Sequence, residues 1–316
     1  MSRRGPASPA RGGVCGWRSP FQQGALLVVV LLLGSGCATT AGQWLPEASD
    51  TPHAAQDMAA LRSEDFETAF AQARSQHAWA NDADSLTEAI RMLEALLQRY
   101  PDNRDVQVEL AEALVLYGAA YASGRAAKRA RFVAAQQHAE RALMANTSFR
   151  TALAAGQRPG LAATELDKDD VPAMVIWATA TAYLFDEGMT AVGRLRSFRG
   201  LEDLRLFMEQ ALRLAPEHEY GLVPFSLAIF HIAAPPIAGG NRQFAAELIE
   251  QAISTPGVSL LPRWGRARYL YPLTRDREQL VADLEWVLAQ DPQAVNSPYR
   301  WNVFVQRDAQ RMLERL

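Results

Sequence analysis

Past residue 56, apolar positions recur at intervals of three and four residues, the spacing that lines one face of an α-helix, with no sustained two-residue alternation of the kind a half-buried strand needs. Leu86, Ala89, Ile90, Leu93, Leu96, Leu97 and Tyr100 mark one stripe. Val106, Leu110, Ala113, Leu114, Tyr117 and Ala120 mark a second; Phe132, Ala135, Ala139, Ala142 and Leu143 mark a third that closes at Asn146. Ser85 and Glu88 read as a capping box opening the first helix, a hydroxyl and a carboxylate answering amides that the first turn leaves unpaired. Pro101 closes that helix, because the residue before a proline is pushed out of the α region. Residues 146–171 interrupt the rhythm and read as irregular. Beyond them, 172–185 and 222–234 are apolar on nearly every side, as in buried helices, and Pro224 fits only in a first turn. Between the two, Leu204, Phe207, Met208, Ala211 and Leu212 give an amphipathic helix that ends before Pro216. Pro235, Pro236, Gly239 and Gly240 form a hard stop and turn. Helical spacing then resumes over 245–252, 264–271, 280–288 and 299–313.

The punctuation is itself periodic. Pro216, Pro256 and Pro292 are 40 and 36 residues apart, and Pro101 and Asn146 are 45 apart. Helix pairs at such a period are the signature of a solenoid, and tetratricopeptide repeats have a nominal period of about 34 residues. The expected fold is all-α, a tetratricopeptide-like solenoid of helical hairpins over residues 57–316, with HEAT-like pairing as the alternative. The two helices that are apolar all round carry more apolar surface than one neighbour covers. Self-association or a ligand groove is expected to hide the remainder.

The first residues have a different character. Arg3, Arg4, Arg11 and Arg18 make a basic region without acids, residues 25–33 are an apolar run of nine, and Gly34, Ser35 and Gly36 lead into Cys37. Nine residues fall well short of the roughly 20 that span a bilayer as a helix. This is the order of a processed export signal. Small residues before a cysteine point to a lipoprotein leader, residues 1–36, with Cys37 as the lipidated first residue of the mature chain. Leu33 stands one position further from the cysteine than the usual pattern has it, and an ordinary cleaved signal with an incidental cysteine is the other reading. Residues 37–56, rich in Ala, Thr, Ser, Pro and Gly, read as a flexible tether. Ala38 supplies no aspartate to favour retention in an inner membrane, so the expected location is the outer membrane, facing the periplasm. Cys15 leaves with the leader, so no disulfide forms within the mature chain.

Without the leader's four arginines the formal charge falls from −3 to −7, which argues against a nucleic-acid partner. The five histidines His53, His77, His138, His218 and His231 include no pair at helical metal-binding spacing. No Gly-rich phosphate loop and no G-x-S-x-G elbow occurs. The chain is therefore expected not to be an enzyme and to carry no cofactor and no metal. Arg125, Lys128, Arg129 and Arg131 read as a solvated helix face, and Arg194, Arg196 and Arg199 as part of a loop; either set could fork an anionic group. His231 reads first as a hydrogen-bonded core histidine. If the apolar helices line a ligand groove, Trp177, Tyr183, Phe230 and His231 are its candidate residues.

Three segments carry a family resemblance. Residues 167–177 (DKDDVPAMVIW), 235–241 (PPIAGGN) and 260–288, from LLPR through RDRE, resemble in order and spacing the T-component lipoproteins of tripartite ATP-independent periplasmic (TRAP) transporters. The resemblance covers most of residues 60–314. It implies a tetratricopeptide-like fold, a homo-oligomer (a trimer with a central pore) and pairing with the periplasmic solute receptor of a TRAP system, which would pass a hydrophobic or carboxylated small ligand. The expected role is a lipid-anchored binding and assembly subunit; a generic tetratricopeptide lipoprotein that scaffolds envelope assembly is the alternative.

Overall fold

The computed structural model describes Trp44 and residues 64–316. The leader 1–36, Cys37 and the tether 37–56, apart from Trp44, lie outside the described residues. Among the described residues all regular structure is helical, and no helix is long and apolar enough to cross a membrane.

Helices α1 (Glu64–Ala78), α2 (Ala83–Arg99), α3 (Arg104–Ala120) and α4 (Arg125–Met144) pack in sequence, each against the next except where α3 also meets α1. The start of α2 differs from the sequence expectation. Asp82 is the cap: its carboxylate accepts from Ser85 N at 2.8 Å, and Ser85 Oγ accepts from Asp82 N at 3.3 Å. An aspartate one turn earlier is as good a cap as serine, so the box opens at Asp82, and Glu88 is left to pair with Arg91 on the surface. At the far end the helix stops at Arg99, as Pro101 requires.

Residues 146–171 are not irregular. They hold α5 (Thr147–Ala154), α6 (Pro159–Ala162) and two 3₁₀ turns, Ala163–Glu165 and Lys168–Asp170. Such short pieces show no apolar period, but their caps are local: Asn146 accepts from Phe149 N at 3.1 Å, and Asp167 from Asp169 N at 2.9 Å. Buried Asp170 ties the stretch down, accepting from Arg104 Nη2 at 2.8 Å and Asn146 Nδ2 at 2.7 Å.

The central helix α7 (Val171–Tyr183) runs into a π-helical turn, Leu184–Gly188. It packs against α3, α4, α9 (Phe198–Leu214) and α10 (Leu222–Ala233). The apolar surface that led us to expect self-association is thus covered within the chain, because four helices surround α7 where the sequence suggested one neighbour. The arginines expected in a loop are helical too: Arg194 and Arg196 lie on α8 (Ala191–Arg196), which Thr190 caps, and Arg199 lies in the first turn of α9.

After α10, Pro235 and the 3₁₀ turn Pro236–Ala238 lead into Gly239 at φ +88°, the left-handed conformation in which a Cβ is strained. Helix α11 (Arg242–Ser254) packs back on α10. Then come α12 (Leu261–Gly265), a second π turn at Arg266–Leu270, α13 (Tyr271–Thr274), α14 (Arg277–Ala289) and α15 (Tyr299–Leu313). Helix α15 returns to the beginning of the chain. It touches α1, Tyr299 lies 5.3 Å from the ring of Trp79, and Arg300 bonds Glu112 on α3. The succession of helices closes on itself.

Candidate functional site

A cavity of about 480 Å³ lies where that closure is made. Helix α1 supplies Arg74 and Ser75, α3 supplies Val108, Glu109 and Glu112, and α7 supplies Pro172, Val175 and Ile176. His218 and Glu219 enter from the turn before α10, Leu222 from the start of α10, and Arg300 from α15. Helix α7 contributes only apolar groups to the wall, joined by Ala71, Ala78, Val108 and Leu222, and the charged part is shared among elements far apart in sequence.

The charged wall is a chain of paired groups. His77 is fully buried, and its Nδ1 lies 2.7 Å from Glu109 Oε1. Arg74 approaches the other oxygen of Glu109 at 3.8 Å. Glu112 is buried and accepts from Arg300 Nε at 3.0 Å and Nη2 at 2.5 Å, and from the Trp301 indole at 2.8 Å. Burial by itself would raise the pKa of Glu112, but the attraction of Arg300 and the hydrogen bonds outweigh it and hold the carboxyl below its ordinary range. Glu112 stays ionised as the counter-ion of a guanidinium.

Glu219 behaves in the opposite way. Burial, and then the charge of Glu112, push its pKa up to about 7 against the pull of Arg300. Its backbone is strained: Glu219 (φ +44°) and Tyr220 (φ +57°) both adopt left-handed conformations just before Gly221 (φ +94°). Such conformations cost non-glycine residues roughly 1–2 kcal/mol each and persist where surrounding structure imposes them, often at functional sites. The outcome here is a carboxyl set on the wall of the cavity and poised between its neutral and charged forms near pH 7.

His77, Glu109 and Glu112 each bring a ligand atom within 4.8 Å of the others, the one group among the described residues whose donors could hold a metal ion. Arg300 and Trp301 already occupy Glu112 Oε1. A cation here would sit beside the Arg300 guanidinium, whose positive charge opposes it, so the arrangement suits recognition of a polar organic group better than coordination.

The four groove candidates do not meet here. Trp177 turns away from the cavity and donates its indole N–H to Glu140 Oε1 at 3.1 Å, although Val175 and Ile176 beside it line the wall. Tyr183 stacks on Phe132 at 5.2 Å, where α7 gives way to its π turn. Phe230 and His231 are buried together on α10, and His231 Nδ1 pairs with the Gly239 carbonyl oxygen at 3.0 Å. His231 thus occupies the core. Of the basic residues on α4, Lys128 pairs with Glu187, and Arg131 lies over the Tyr117 ring at 4.7 Å.

The charged wall escaped sequence reading because its members are spread from residue 74 to residue 300. One signal was present: Glu112 stands among Leu110, Ala111, Ala113 and Leu114, and a carboxylate on the buried side of a helix requires a partner.

Residues 78–316 match the family described as TRAP transporter T-component. A comparison with curated proteins found no match.

Proposed function

From the premise that this chain belongs to the TRAP transporter T-component family, and is thus a component associated with TRAP transport, we propose that it is a lipid-anchored subunit that pairs with the periplasmic solute receptor of its system. Cys37 carries the lipid, the body faces the periplasm, and the outer membrane is the anchoring layer. The match over residues 78–316 carries this reading. The cavity at the α1–α3–α7–α15 junction supports it, since an apolar lining centred on α7 together with the charged groups Glu109, Glu112 and Arg300 suits a small amphipathic solute. Self-association into a trimer rests on the family alone. Co-purification of the full chain from detergent, with mass spectrometry of partners and bound small molecules, tests the reading. Recovery of the receptor is the expected outcome, and recovery of envelope-assembly proteins in its place would favour the scaffold alternative.

A further inference from the structure

Trp44 is the one described residue of the stretch that the sequence presents as a flexible tether, and it is buried to 6% exposure. Its indole sits among three aromatic rings of the body. The centroid of Phe149 on α5 is 5.6 Å away, edge-on; that of Trp177 on α7 is at 5.5 Å, and that of Phe207 on α9 is at 5.9 Å, stacked. The three also touch one another: Trp177 and Phe207 are 4.7 Å apart, and Phe149 and Phe207 6.0 Å. All lie within the 4.5–7 Å range in which aromatic pairs attract beyond simple burial. Trp177 is further held by Glu140. The socket is therefore built from three separate helices and fixed from behind, and its occupant arrives from a distant part of the chain.

We propose that Phe149, Trp177 and Phe207 form a binding site for a flat, indole-sized aromatic group, and that Trp44 fills it in cis, strapping the N-terminal stretch to the body. A body that begins at α1, without Trp44, would leave this apolar hollow open. Apolar cavities large enough to hold an aromatic ring stay dry and accept aromatic guests. A second consequence rests on the reading of Cys37 as the lipid anchor. Trp44 is seven residues beyond Cys37, and an extended chain covers at most about 3.5 Å per residue. The lipid is then leashed within roughly 25 Å of the socket, rather than at the end of a long free spacer.

The test uses the full chain, produced with its leader and purified in detergent. Trp44→Ala should lower the melting temperature by about 5–15 °C, and Trp44→Phe by clearly less. Millimolar indole should restore several degrees to Trp44→Ala through binding to the folded state, and leave the parent, whose socket is filled, unmoved. Adding Cys37→Ser should not alter the indole response, because the socket does not need the lipid; loss of membrane attachment in that variant bears on the anchor alone. A Trp44→Ala chain that melts with its parent would overturn the proposal. So would a lowered melting point that indole leaves unchanged, since Trp44 would then stabilise the chain by some other route.

Discussion

Arg300 and Glu112 lie 188 residues apart in sequence, yet the guanidinium grips a single carboxylate oxygen of Glu112 through both Nε and Nη2. Both side chains are almost wholly withdrawn from water. The pair joins the last helix to the third and forms one side of the cavity. Removing one partner strands the other charge in the interior, which typically costs 3–5 kcal/mol, whereas replacing both with apolar groups can be near neutral. Arg300→Leu should therefore lower unfolding free energy by about 3–5 kcal/mol, and adding Glu112→Leu should recover much of it. Urea unfolding of the two single variants and the double variant gives the coupling directly. Additive losses would show that the pair does not hold the closure.

The diproline–diglycine turn offers a sharper steric forecast. Gly240 donates its N–H to Pro235 O at 3.1 Å, and a Cβ built there would lie 1.8 Å from the Ala234 carbonyl oxygen, a backbone atom that cannot swing aside. Gly240→Val should lower the melting temperature by several degrees. Asn241 caps α11, accepting from Phe244 N at 3.1 Å, and Asn241→Ala should cost only about 1 kcal/mol. The order of the two melting temperatures decides whether the turn is as rigid as its geometry requires.

Stability should fall as pH rises from 6 to 8. Burial raises the pKa of Glu140 to about 7, against its hydrogen bond from Trp177, and burial with the nearby Glu112 charge does the same for Glu219. A carboxyl with a raised folded-state pKa holds a proton that the unfolded chain has already released, so its contribution is full below the ordinary carboxylate range and is lost as pH climbs through 7. His138 works in the other direction. Burial lowers its pKa to about 4, so its contribution is complete above 6.5 and disappears only in acid. Between pH 6 and 7 Asp186, raised by burial to about 6, adds to the fall while the buried His138, His218 and His231 oppose it; from pH 7 to 8 the two glutamates set the slope. Glu140→Gln keeps an oxygen for the Trp177 indole; it should raise the melting temperature at pH 8 and flatten the curve. An unchanged slope would remove Glu140 from this role.

The long helices from α2 onward were legible because they carry apolar residues at helical spacing and their own boundary signals: Pro101 ends α2, Asn146 follows α4, and Pro224 sits in the first turn of α10; α1 was not, since its buried Phe66, Phe70 and Ala73 stand among mostly polar residues. The short helices between 146 and 171 were not, since eight residues or fewer cannot display a period. Nor was the closure, because no local pattern tells Arg300 that its partner is Glu112. The same limit applies to the cavity. Trp177, Tyr183, Phe230 and His231 looked like groove residues because they stand on the most apolar helices, and those helices are apolar because they are surrounded. Val175 and Ile176, one step round α7, are the residues that face the cavity.

The anchor can be tested independently of the fold. Cys37→Ser removes the acyl acceptor, and a lipid contributes roughly 0.8 kcal/mol per buried CH₂ to membrane attachment. The variant should remain unprocessed or appear in the soluble periplasmic fraction. Normal processing with full membrane retention would contradict lipidation at this residue.

The central claim, pairing with a solute receptor, is tested most directly by sedimentation velocity of the mature chain with a TRAP solute receptor from the same organism. A receptor that docks and leaves in each transport cycle should bind weakly, so both proteins are best mixed at tens of micromolar, within the range of transient complexes. The account predicts a faster-sedimenting species that contains both proteins and dissolves on dilution. Two boundaries that move independently at that concentration, each unchanged from its protein alone, would contradict it.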